Sequence, residues 1–177
     1  MITTEEYIQL KAFSRVDGLY LGLLWILSFA CYIAGLKTPV IGSCGTLLAL
    51  ASPLFALARL KKFRDYARDG RISFRRAFVY YVLCFFYAST LLALMQYVYF
   101  AFLDKGTLVQ AYLSLLTTPE ATEMIKAYGL TIQQAQEYVS QFSQMTPIFI
   151  ALNIMTMNNI CGVILGLPAA LLAMRSR

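Results

Sequence analysis

Residues 16–36, VDGLYLGLLWILSFACYIAGL, carry a single charged side chain, Asp17. A helix of that length rises about 30 Å at 1.5 Å per residue, the thickness of a bilayer's hydrocarbon core. Three more stretches read the same way, at about 40–58, 74–103 and 147–174. The chain has 177 residues, 59% of them hydrophobic and 14% charged, against roughly 45–50% and 25% in soluble domains. Its mean hydropathy is +0.64. A soluble fold cannot hide that surface, so the sequence predicts an all-α, integral membrane four-helix bundle, a single membrane domain over residues 1–177.

Orientation is set by the connector at 59–76, RLKKFRDYARDGRISFRR. Its eight cations and two acids leave +6, the formal net charge of the whole chain. Charge confined to one juxtamembrane loop is the positive-inside signature and argues against nucleic acid as a partner. The amino-terminal segment, the connector and the carboxyl tail hold 12 of the 15 Lys and Arg residues. Both termini are therefore expected to be cytoplasmic, in a multi-pass protein of the bacterial cytoplasmic (inner) membrane, with residues 104–146 extracytoplasmic.

Local signals predict the remaining elements. MITTEEYIQLKAFSR lacks a cationic start and a cleavage site, so it does not read as a signal peptide. Tyr7, Leu10 and Phe13 recur at helical spacing and predict a short interfacial helix ahead of the first span. Gly42, Ser43, Gly45, Ala49, Ala51, Ser52 and Ala56 give the second span a small-residue face, so it is expected to be the most enclosed helix. Leu60 to Asp69 predicts a separate short helix ending at Gly70, with Ser73 as the N-cap of the third span. Tyr80, Tyr81, Tyr97, Tyr99 and Phe100 read as interfacial belts at its two ends.

Between the third and fourth spans the chain predicts short amphipathic helices. One covers Thr107 to Leu116, a second opens at Thr118-Pro119-Glu120 and ends at Gly129, and a third opens on a Thr131/Gln134 capping box. Pro147 starts the fourth span.

The chain has no histidine, which removes the commonest general base and metal ligand. Cys31, Cys44, Cys84 and Cys161 fall in apolar runs without a CxxC pair, so neither metal nor cofactor is expected. Cys31 and Cys44 would lie near one end of a helical hairpin, where a disulfide is conceivable. Arg68, Arg71, Arg75 and Arg76 are suited to hold a phosphate, as an anionic-lipid or partner-binding set, or else serve only to orient the protein. Asp17 calls for Arg15 or a connector arginine as its ion-pair partner, or else marks a proton-coupling or substrate site. Gln96, Asn153, Asn158 and Asn159 either bond between helices or line a path. The motifs Gly18-x-x-x-Gly22 and Gly162-x-x-x-Gly166 predict close helix packing, within one protomer or across a homodimer. No arrangement of residues supports a catalytic site.

The stretch RxxxxDGRISFRRAF at Arg64 to Phe78 and YVYFAFLDKG at Tyr97 to Gly106, followed by a helical segment and an Asn/Gly-rich last span, resembles the DUF4199 family of Bacteroidota membrane proteins. The resemblance implies a four-helix inner-membrane protein of uncharacterised function. Members of that family occur beside a polyprenyl-phosphate sugar synthase, which hints at a partner. The expected function is therefore that of a noncatalytic accessory or scaffold protein, recruiting a membrane-associated glycosyltransferase that uses polyprenyl phosphate. The alternatives are a small transporter or lipid translocase, and a lipid-binding membrane module.

Overall fold

A computed structural model describes residues 4–175. The helices are α1 (Thr4–Gly35), α2 (Pro39–Ala67), α3 (Phe74–Val98), α4 (Thr107–Leu115), α5 (Pro119–Ala127), α6 (Ile132–Ser143) and α7 (Pro147–Ala173). Four apolar helical stretches are long enough to cross a membrane: α1, α2, α3 together with the turn that follows it to Leu103, and α7. The chain is all-α, and it forms two compact units, Met1–Met95 with Leu152–Arg177, and Gln96–Ala151.

Two helices are longer than the sequence pattern suggested. No separate interfacial helix precedes the first span, because α1 runs unbroken for 32 residues. Glu5 and Glu6 sit in its first turn, where acids favour the positive end of the helix dipole, and no residue before Gly18 is a breaker. Likewise α2 absorbs the expected short helix and continues to Ala67. It stops where Asp69 and Gly70 take φ of 50° and 74°, a left-handed pair that a glycine makes cheap. The Gly70 N–H closes the end on the Arg64 carbonyl at 3.1 Å. Pro53 deprives the Ala49 carbonyl of its helical donor, and the Ser52 hydroxyl donates to that carbonyl at 2.7 Å instead.

In the first unit the enclosed helix is α3, not α2. Of the apolar window of α3, 44% of residues are buried, against 17% in α2. The small residues of α2 serve one side only: Gly45 meets α1, where the Ser28 hydroxyl donates to its carbonyl at 2.8 Å, while Leu47, Leu50 and Leu54 on other faces stay exposed. By contrast α3 buries Ala77, Tyr80, Tyr81, Cys84, Phe85, Ala88 and Leu92. The glycines of both packing motifs meet α3. A Cβ on Gly18 would stand 2.7 Å from the Tyr87 Cβ, and one on Gly162 would stand 2.6 Å from the Phe85 Cβ. Aromatic rings fill the rest: Trp25 meets Phe85 edge-on at 5.2 Å, and Phe63 stacks on Tyr80 at 4.6 Å. All four cysteines are free thiols, so Cys31 and Cys44 form no disulfide.

In the second unit the end of α3 passes into a five-residue π turn, Tyr99–Leu103, closed by the Asp104 N–H on the Tyr99 carbonyl at 2.8 Å. Thr118 caps α5, its side chain accepting from the Ala121 N–H, and the Thr131/Gln134 capping box opens α6. A cleft of about 390 Å³ lies within this unit, lined among others by Phe100, Asp104, Gln110, Phe142 and Met145.

Because Gly162 admits no side chain beside Phe85, Gly162→Ile should lower stability by about 1–3 kcal/mol, the usual penalty for overpacking. Thermal unfolding in detergent would show it, with the exposed Leu167→Ala nearly silent as a control. An unchanged midpoint for Gly162→Ile would contradict this α3–α7 contact.

Candidate functional site

Glu6 and Asp17 of α1 meet the arginines of the connector in the first unit. Asp17, on α1, is 4% exposed. A carboxylate that deep must be compensated. The Arg59 Nε donates to it at 2.6 Å, a second Arg59 nitrogen donates to the same oxygen, and the Tyr80 hydroxyl donates to the other oxygen. Arg59 also lies over the Tyr20 ring, 5.2 Å from its centroid. One carboxylate thus joins α1, α2 and α3.

The connector arginines divide into two groups. Arg64, 7% exposed, donates to the Ala173 carbonyl at 3.0 Å and forks onto Asp65 at 2.7 and 3.0 Å. A cation bonding the last carbonyls of α7 suits the negative end of that helix. The exit of α7 is strapped further by the Arg175 N–H, which donates to the Ile72 carbonyl at 3.1 Å. Arg68 and Arg76 both bond Glu6 of α1, at 2.8 and 2.5 Å. Lys61, Lys62, Arg71 and Arg75 are exposed, and none of them has an ion-pair partner among the described residues. The four arginines singled out from the sequence therefore fall in two pairs, Arg68/Arg76 on a carboxylate and Arg71/Arg75 outward.

A family model described as "Protein of unknown function (DUF4199)" matches residues 17–175. The chain belongs to the DUF4199 family. No curated protein and no solved structure matches it. The matched region of this DUF4199 chain begins at Asp17 and takes in Arg59, Tyr80 and the connector, while Glu6 lies outside it.

The other polar residues are dispersed. Asn159 accepts from the Ser89 hydroxyl at 3.1 Å, bonding α7 to α3. Asn158 is half-buried and Asn153 exposed. Gln96 belongs to the second unit, 4% exposed, and its Oε1 has no partner among the described residues. Among the described residues no cluster of three or more His, Cys, Asp or Glu could hold a metal.

The connector arginine expected beside Asp17 is Arg59, whereas two tyrosines lie elsewhere than the sequence pattern placed them, and neither Glu6 nor the Arg64 cap of α7 was foreseen. Tyr80 and Tyr81 are not interfacial belts but buried, at 0% and 1% exposure, with the Tyr81 hydroxyl donating to the Pro53 carbonyl at 3.2 Å. A signal was present: Ala77, Tyr80 or Tyr81, Cys84 and Ala88 recur at three- and four-residue spacing, the mark of a packed face. Arg59 as the partner of Asp17, Glu6 as the partner of two arginines and Arg64 as the cap of α7 join residues 42, 62, 70 and 109 positions apart.

Removing Arg59 while keeping Asp17 leaves a buried charge uncompensated. Arg59→Met should cost about 3 kcal/mol, the low end for a broken buried pair because Arg59 retains partial exposure, and adding Asp17→Asn should restore most of it. A double-mutant cycle by denaturant unfolding in detergent measures the coupling. Additive losses would mean that the two side chains do not depend on each other.

Proposed function

We propose that this DUF4199 protein is a noncatalytic accessory protein of the bacterial cytoplasmic membrane, with both termini and the connector cytoplasmic and residues 104–146 extracytoplasmic. It presents the connector's outer cations to an anionic partner at the headgroup level. That partner is a membrane-associated glycosyltransferase working on polyprenyl phosphate, together with the anionic lipid around it.

The observation that carries this reading is the division of the connector's cations. Four arginines are bonded inside the protein, to Asp17, Asp65 and Glu6, while Lys61, Lys62, Arg71 and Arg75 face outward. An outward cation near an anionic surface contributes about 1 kcal/mol to binding. The polar groups of the spans favour a scaffold over a transport path. Asp17 and Asn159 are each bonded to a neighbouring helix, which is a structural use of a polar side chain in lipid.

Charge reversal tests the reading. Arg71→Glu with Arg75→Glu should abolish co-purification of a glycosyltransferase from native membranes and lower lipid-linked sugar, with thermal stability unchanged because both side chains are exposed. Wild-type membranes that yield no such enzyme, with lipid-linked sugar unmoved by the reversal, would overturn the proposal.

A further inference from the structure

Arg68 and Arg76 approach one carboxylate from two sides. The Arg68 guanidinium donates to one oxygen of Glu6 at 2.8 Å and the Arg76 guanidinium to the other at 2.5 Å. Two guanidiniums directed at two oxygens of one group is the geometry in which arginines hold a phosphate. The trio stands at the rim of the bundle, not inside it: Glu6 keeps 27% of its side-chain exposure, Arg68 17% and Arg76 21%. Each half of the trio is positioned independently. Arg68 stands at the end of α2, where the left-handed Asp69–Gly70 turn redirects the chain, and Arg76 lies in the first turn of α3. The arginine pair is thus built by the connector, and Glu6 reaches it from the first turn of α1.

We propose that Arg68 and Arg76 form a binding site for a lipid-borne phosphate, and that the Glu6 carboxylate occupies this site as an internal competitor that the phosphate displaces. The inference rests on the reading of the connector as an anion-facing surface and adds its regulation. A partly exposed ion pair adds little net stability, so an incoming dianion with more acceptor oxygens can replace Glu6 without unfolding the end of the bundle. Displacement would loosen the first turn of α1, ahead of the buried Leu10, because Glu6 bonds that turn to two connector arginines. Phosphate capture is thereby coupled to release of the amino-terminal end of a 32-residue helix.

The full chain in neutral detergent micelles, titrated with dioctanoyl phosphatidic acid and followed by native mass spectrometry, tests this. Dioctanoyl phosphatidylcholine serves as the zwitterionic lipid, and inorganic phosphate separates a lipid-borne from a free anion. Glu6→Gln should tighten phosphatidic acid binding about fivefold, the effect of one freed cation, and Arg68→Gln with Arg76→Gln should abolish it. Glu5→Gln makes the same change in net charge at an exposed neighbour and should leave binding within twofold of wild type. Hydrogen exchange on the unaltered protein gives an independent readout, with residues 4–10 exchanging faster when phosphatidic acid is bound.

Equal gains from Glu6→Gln and Glu5→Gln, or residues 4–10 unchanged or protected on binding, would overturn the competitor role. Inorganic phosphate binding as well as phosphatidic acid would overturn the lipid-borne assignment. A loss of binding in Arg71→Glu/Arg75→Glu alone, with Arg68→Gln/Arg76→Gln silent, would overturn this site while leaving the outward-facing surface standing. Binding indifferent to every connector variant would overturn both.

Discussion

The burial of Asp17 constrains the rest of the first unit. A carboxylate at 4% exposure has to find donors, and it finds them on two other helices, Arg59 on α2 and Tyr80 on α3. Helices that meet in lipid have no hydrophobic drive toward each other, so directional bonds and close contact decide how they are registered. Asp17 sets the register of α1 against both neighbours. Arg64 performs the same service for α7 by holding the Ala173 carbonyl, so all four long helices are bonded together at the basic end.

Close backbone approach accompanies these bonds. Gly18 and Gly22 let α1 lie against α3, and Gly162 and Gly166 let α7 do so at Phe85, Phe78 and Tyr81. These contacts place α3 between two glycine faces, which is why it is the enclosed helix although α2 is richer in small residues. The small residues of α2 are instead divided between contact with α1 and repair of the break at Pro53, where Ser52 supplies the missing donor.

What could be read from the sequence was either additive or local. Four apolar helices emerge from summed hydropathy, and the openings of α5, α6 and α7 emerge from Thr118-Pro119, the Thr131/Gln134 box and Pro147, each within one turn of the helix it starts. What could not be read was nonlocal. Nothing near Asp17 in the chain selects Arg59 over Arg15, and nothing near Tyr80 says that its hydroxyl has a buried acceptor and so need not reach the interface. The continuity of α1 and α2 was hidden for a related reason. A drop in hydropathy marks where a span leaves lipid, whereas helix ends are set by backbone signals, and none intervenes between Arg15 and Val16 or between Ala58 and Arg59.

The connector shows why a charge count and a binding surface are different things. Its +6 is a sum over neighbours in sequence, but the folded chain brings Glu6 and Asp17 back from α1 and sets them on Arg68, Arg76 and Arg59. The field presented outward is therefore smaller than the sum and belongs to different residues, Lys61, Lys62, Arg71 and Arg75. Arginine dominates the bonded group because a planar fork can satisfy two acceptors at once, as Arg64 does with Asp65 and Ala173. Both lysines remain outside, where a point charge on a flexible stem loses nothing by staying hydrated. Along this short stretch every cation that bonds the bundle together is an arginine, whereas the outward group combines both lysines with Arg71 and Arg75.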